Sequence, residues 1–266
     1  MTDTHDSAIC PTSCAVRDLL EFVGETTLLA WSALAYLLRG RFSFREAVRQ
    51  MAVLGADSLP IVLLTTSSTG AVFSLYTVGI FVTYGATNFI GGTLTIAFLL
   101  ELGPLLAGIS FASRGAAAIA SELGSMVVTE QVDALRALAV APARYLVAPR
   151  VLACVLMLPV ATVFADLSGI VGGLLMAMAH GVPQTTFIES ARQIALPSDL
   201  LKGIVKTFWF GFTIAIVACR QGLRTRGGAS GVGRATTSSV VACVVLIFLS
   251  DFVLAQMLGA GSGGRR

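Results

Sequence analysis

Charge is what this chain has least of. Only 12% of its 266 residues are Asp, Glu, Lys or Arg, about half the share usual in a soluble domain, while 55% are hydrophobic. A soluble fold of this length has nowhere to hide so much apolar surface, so the bilayer is the solvent. Histidine is nearly absent. His5 and His180 stand far apart, and neither a His-Glu-x-x-His run nor a nucleophile elbow with an ordered His partner occurs, so the enzyme classes built on them find no support. The five cysteines are an odd number with no framework spacing. Cys154, Cys219 and Cys243 lie in apolar runs and are expected to pack as small hydrophobes, while Cys10 and Cys14 have only His5 nearby, too few ligands for a metal. The first residues lack the basic start and apolar core of a secretory leader, and positions 1–15 are expected to form a disordered cytosolic tail. A net charge of +3 is too small to argue for nucleic acid.

One further absence matters. Gly228 to Ala235 reads GASGVGRA, near the spacing of a phosphate loop, but Arg234 replaces its lysine and Ala235 its Ser/Thr. A phosphate loop also follows a strand, whereas this stretch opens an apolar run. No catalytic residue, cofactor or metal is therefore assigned to the chain. Any ATP and magnesium belong to another subunit.

What is present is a succession of apolar runs. Val16 to Leu38 carries Asp18, Glu21 and Glu25 in its first half, leaving too short a clean stretch to span; it reads as an interfacial helix over 16–38 with Trp31 and Tyr36 at headgroup level. Arg39, Arg41, Arg45 and Arg49 follow as a cationic belt. Met51 to Phe111 holds only Asp57 and Glu101 and fits two spans, with a turn around Tyr84, Gly85, Asn88, Gly91 and Gly92. Tyr145–Ala179, Leu200–Cys219 and Ala235–Leu258 give three more spans, so the bundle covers 51–258 and a short tail covers 259–266. Gly181 to Asp199 reads as a mixed loop, and Arg220 to Arg234 as a glycine-rich basic loop. With the N-terminus inside, the inner connections hold twelve arginines, beside Arg17 of the interfacial helix: Arg39, Arg41, Arg45, Arg49, Arg114, Arg136, Arg144, Arg150, Arg220, Arg224, Arg226 and Arg234. The outer connections hold three basic residues, Arg192, Lys202 and Lys206, and two more arginines end the chain. That bias predicts an N-terminus in the cytoplasm and a C-terminus outside.

Two constellations could carry chemistry. The first is the segment Glu122 to Arg136. Gly124 is expected to break the preceding helix, Val127 and Val128 to extend, and Thr129 to cap a short helix with Glu130 in its first turn. Glu122, Ser125, Thr129, Asp133 and Arg136 form one polar face if helix is continuous. Spacing alone leaves two readings open: a loop helix that covers helix ends, or a coupling helix that enters a groove on a partner. The second is the set of ionisable residues in apolar runs, namely Glu101, Asp166, Asp251 and Lys206. A charge at bilayer depth needs a partner or a wet cavity. Glu101, Lys206 and Asp251 are expected to form a polar cluster; the alternative is that each separately bonds backbone. The small residues from Ala107 to Ala118 read as close helix packing around Arg114.

The run ELGP (Glu101–Pro104), then Arg-x-x-Ala-Ala (Arg114–Ala118), ASELGSM-x-VTEQVDAL (Ala120–Leu135) and YLV-x-PRVLA (Tyr145–Ala153) resembles the MlaE/YrbE permease family. QGLRTRGGASGVGRATT (Gln221–Thr237) and DFVL (Asp251–Leu254) resemble the same family's second signature. The resemblance covers roughly 39–258. Departures fall at Ser113 and Ala116, where glycine is usual, and at Arg220, where an uncharged or aromatic residue is usual. It implies an all-α polytopic membrane protein: an N-terminal interfacial helix plus five transmembrane helices, with a cytoplasmic coupling helix between the second and third. It further implies the permease subunit of an ABC transporter that moves phospholipid or a related lipid between membranes. A second copy of the chain, two ABC ATPase subunits and an Mce-domain lipid-binding protein would be its partners. Glu122, Thr129, Glu130, Asp133 and Arg136 would couple to the ATPase. Lipid would lie between two copies, lined by the first, second and fifth spans, with Glu101, Lys206 and Asp251 setting polarity and Pro104 and Arg114 serving packing and exit. The expected location is a bacterial inner membrane or the chloroplast inner envelope. Readings from other classes are an ion-coupled carrier titrating Glu101 or Asp166, and a non-transporting anchor for the Mce partner.

Overall fold

The computed structural model describes residues 11–40 and 43–260, and among these it contains helices and turns but no strand. Arg41 of the cationic belt, most of the expected tail (1–10) and 261–266 lie outside the described residues. Eight helical elements follow one another: α1 (Pro11–Leu38), α2 (Phe44–Thr83), α3 (Thr87–Val128), α4 (Gln131–Ala137), α5 (Ala143–Ala179), α6 (Gln184–Ile194), α7 (Pro197–Leu223) and α8, whose apolar stretch is Gly228–Leu258. Five of them, α2, α3, α5, α7 and α8, are long and apolar enough to cross a membrane.

The long helices are not uniform. The turns Ala52–Ala56, Phe98–Leu102, Ala112–Ala116 and Ala143–Val147 are widened to π geometry. Two of them share a cause. Phe98–Leu102 is followed by Pro104 and Ala143–Val147 by Pro149. Proline has no N–H to give the carbonyl four residues back and its ring crowds that carbonyl, so the preceding turn opens. The widening leaves backbone oxygens for side chains to use.

Packing follows residue size. α2 and α5 lie backbone to backbone along a glycine seam: a Cβ on Gly70 would meet the Gly169 carbonyl, and one on Gly172 the Ser67 carbonyl. Thr66 and Ser168 hydroxyls bond across that seam. The main core joins α3, α5, α7 and α8 through Phe111, Ile119, Leu123, Val151, Phe210 and Ile214, with Cys154, Cys219 and Cys243 buried in it as free thiols. A second, smaller core around Phe98, Leu94, Ile90, Val78 and Phe187 lies toward the end away from α4. Only 17% of the most apolar stretch of α8 is buried, against 50% for α3, α5 and α7. Its free flank is lined by Val241, Val245, Phe248, Phe252 and Met257.

Several sequence expectations change. Helix α2 starts at Phe44, so Arg45 and Arg49 of the cationic belt lie in its first turns, ahead of the span expected from 51. Gly91 and Gly92 are not in the turn. They belong to α3 and receive α6, whose Ser190 hydroxyl accepts from the Gly92 N–H at 2.9 Å. α6 replaces the expected loop over Gly181–Asp199, with Phe187 and Ser190 buried. The basic loop shrinks to a turn at 224–227, because α8 already starts at Gly228. The phosphate-loop lookalike is therefore the first two turns of that helix.

Candidate functional site

The first site is built on the opened turn of α3. Pro104 gives no N–H to the Leu100 carbonyl, and the buried Lys206 of α7 supplies the missing donor, Nζ to oxygen at 3.1 Å. The same ammonium lies 2.7 Å from Glu101 Oε2 and 3.1 Å from Asp251 Oδ1 of α8. The Lys206 side chain is 2% exposed, that of Asp251 13% and that of Glu101 45%. Asp251 Oδ1 makes no aligned hydrogen bond, so its contact with Lys206 is charge proximity. The three residues named together from sequence thus stand together, with the proline next to them as the reason the lysine has a backbone partner as well. Glu101 alone among them presents a substantial open surface. Beside Asp251 a largely apolar groove of about 550 Å³ runs between α7 and α8, lined by Trp209, Thr213, Leu249, Ser250, Leu254 and Met257.

Asp166 stays outside this cluster. It sits in α5, 4% exposed, with both carboxyl oxygens unpartnered, and presses one of them on the backbone of Gly103. Arg114, in the opened turn Ala112–Ala116, pairs with Asp57 of α2 at 3.5 Å, both half exposed.

The second site is the opposite end of α3. The helix does not break at Gly124 but runs to Val128. Gly124 instead admits Thr225 of the α7–α8 turn, whose hydroxyl would lie 2.7 Å from a Cβ there. Thr129 is not an N-cap. It closes α3, its hydroxyl donating to the Ser125 carbonyl at 2.9 Å. Glu130 then takes a left-handed conformation (φ 60°) and starts α4, and Ala139 (φ 57°) follows its end. Two non-glycine residues in that region bracket a seven-residue helix, and each costs about 1 kcal/mol or more that surrounding contacts must offset. Val132 is buried in the main core and Leu135 packs on it, which anchors α4 by one face. The other face is exposed and carries Asp133 and Arg136, paired with each other at 2.8 Å.

The break at Thr129 and Glu130 also divides the expected polar face. Glu122 is not on α4 at all. Its carboxylate pairs with Arg150 of α5 at 2.8 Å, and Arg150 is 2% exposed. Arg150 Nη1 donates to the Leu146 carbonyl, in the opened turn before Pro149, at 2.7 Å. Sequence reading missed this pair; the signal was an arginine next to a proline at the head of an apolar run.

At the same end α1 lies against α7. Arg220 donates to Glu25 at 3.1 Å and stacks on the Phe22 ring at 4.4 Å. Arg224 donates to Glu21 at 2.6 Å and also contacts Glu25. The Arg224 hydrogen bond holds the Glu21 carboxyl below the usual carboxylate range, and the same bond raises Arg224. The outer face of α1 exposes Leu20, Leu28, Trp31 and Leu38.

Comparison with known proteins agrees in one direction. A family model described as Permease MlaE matches residues 47–257. A probable ABC transporter permease protein of Synechocystis is 40% identical over 229 residues, 86% of this chain and 87% of that one. A probable ABC transporter permease protein of Rickettsia prowazekii is 37% identical over 236 residues, 88% and 91% of the two chains. The chloroplastic protein TRIGALACTOSYLDIACYLGLYCEROL 1 of Arabidopsis thaliana is 37% identical over 237 residues, 89% of this chain and 68% of that one.

Proposed function

The chain belongs to the MlaE permease family, and from that premise we propose that it is the membrane subunit of an ATP-driven lipid transporter. It is a transporter component rather than an enzyme, and an ABC transporter permease works with an ATPase. The observation that carries the finer reading is α4. It is short, bracketed by two strained residues, anchored through Val132 and Leu135, and open on the face of Asp133 and Arg136. That is the form of a knob for a protein groove.

In this reading α4 is the coupling helix. It lies in the cytoplasm of a bacterial cell, or faces the equivalent compartment of a chloroplast envelope, and two copies of the chain face two ATPase subunits. The open flank of α8 suits a second copy, and the end away from α4 suits an Mce-type partner. Lipid is the cargo, supported by the relative named for a diacylglycerol lipid and by the apolar groove beside Asp251. Lys206 with Glu101 would place a mixed-charge spot where a headgroup passes, and acyl chains would follow apolar surface. Closure of the ATPase would push α4, and through α3 the opened turn that carries Glu101.

The test is reversal of the exposed charge. Asp133→Lys should leave the permease folded and lose the co-purifying ATPase. Retention of the ATPase at wild-type stoichiometry would remove α4 from the coupling role.

A further inference from the structure

The Glu122–Arg150 pair has a form that packing alone does not require. Arg150 is fully desolvated, yet its partner stands half open at the rim of the bundle. A desolvated guanidinium needs its charge met and its five donors used. One arm meets Glu122 of α3 and another meets the Leu146 carbonyl, while Nε finds no acceptor. The arginine is therefore fixed within its own helix by one contact and tied to α3 by the other. One contact is on the helix that enters α4, the other in the opened turn on the helix that leaves it. Lys206 at the other end shares part of this form, a buried cation that meets a carboxylate on a neighbouring helix, but it takes the Leu100 carbonyl of another helix, whereas Arg150 takes a carbonyl of its own.

We infer that Glu122 and Arg150 form a positioning strut that locks the two arms of α4, the end of α3 and the start of α5, into one lever. The inference rests on the coupling reading of α4. Without the strut, a push on α4 can be absorbed at the strained residues Glu130 and Ala139, where the backbone already departs from helix. With it, α3 and α5 move together, and the displacement reaches the opened turn Phe98–Leu102 along one helix. The neighbours suit a rigid base: Gly222 of α7 sits against Ala120 and Leu123, and Thr225 against Gly124, so α7 and its following turn are packed on the same stretch of α3. Glu122 acts through Arg150 and need not touch the ATPase.

The experiment uses the complete permease–ATPase complex in vesicles of phosphatidylethanolamine and phosphatidylglycerol, and reads lipid moved per ATP hydrolysed. Glu122→Gln keeps the shape and removes the charge. Loss of a charge-assisted hydrogen bond shifts the locked arrangement by roughly tenfold or more. The expected result is bound ATPase, near-normal ATP hydrolysis and a drop of that order in lipid moved per ATP. Glu122→Asp, which keeps a carboxylate, should recover part of the ratio. Hydrogen exchange gives a reading independent of transport: amides of α4 should exchange faster in Glu122→Gln than in wild type. An unchanged ratio together with unchanged exchange would overturn the strut. Loss of the ATPase from Glu122→Gln would also overturn it, because Glu122 would then be a contact residue. If wild type itself binds no ATPase, the coupling reading fails rather than the strut.

Discussion

Lys206→Met is the most informative single change. Methionine fills much the same space as the lysine stem, so the cavity term is small and the charge is what is lost. At 2.7 and 3.1 Å, two unit-charge attractions come to about 6 and 5 kcal/mol at an effective dielectric of ~20. Most of that is offset by the cost of desolvating the ammonium, so the cluster as a whole contributes little net. Removing one partner is different. It leaves Asp251 and Glu101 facing each other with no cation, and leaves the Leu100 carbonyl without its donor. Breaking a buried pair costs about 3–5 kcal/mol, and the open side of Glu101 argues for the lower end, about 3 kcal/mol. The assay is denaturant or thermal unfolding of the purified permease in lipid nanodiscs, beside ATP-driven lipid transfer. A control separates charge balance from chemistry. The triple change Glu101→Gln, Lys206→Met, Asp251→Asn removes every charge and should recover most of the lost stability without recovering transfer. Lys206→Met within about 0.5 kcal/mol of wild type, with normal transfer, would refute the reasoning.

Other outcomes follow from the same geometry. Gly70→Ala puts a methyl against the Gly169 carbonyl and should cost about 1–3 kcal/mol in unfolding of the reconstituted permease, by forcing α2 off α5. Among the described residues Asp166 meets no cation, so Asp166→Asn should leave stability and transfer near wild type, whereas an ion-coupled carrier that titrates Asp166 would lose transport. The α1 clasp should depend on pH. Glu21 has its carboxyl held low, so its contribution is present above the ordinary carboxylate range and is lost as pH falls through the lowered value. Hydrogen-exchange protection of α1, taken relative to the intrinsic rate at each pH, should accordingly fall in acid, and Glu21→Gln should show the weaker protection already at neutral pH.

Much of the architecture was legible because apolar runs of spanning length are hard to hide, and the five spans follow from them. Boundaries were less legible. Arg45 and Arg49 read only as a cationic belt ahead of the first span and Arg234 as loop, yet all three lie in the first turns of long helices, where arginine side chains reach water. α6 was missed because Gln184–Ile194 is too polar for a span, although Pro183 ahead of it and Phe187, Ala191 and Ile194 at helical spacing were the available signal. The polar cluster could be guessed from depth along each run. Its reason could not, since it depends on a carbonyl left free by Pro104. The segment Glu122 to Arg136 was misread at Gly124 and Thr129 because both are common helix boundaries in isolation. In the fold, the glycine serves the approach of Thr225, and the boundary falls on Glu130.

The central claim is that ATP acts on this chain through α4 to move lipid. It is tested most directly by placing a crosslinking residue at Ala137, exposed on α4 beside Asp133, in the reconstituted permease with its ATPase and labelled phospholipid, and following both crosslink and transfer. The expected outcome is a crosslink to the ATPase and lipid transfer that requires ATP and stops when the crosslink forms. Lipid transfer that proceeds without any ATPase, or an ATPase that crosslinks elsewhere on the chain and never at α4, would contradict it.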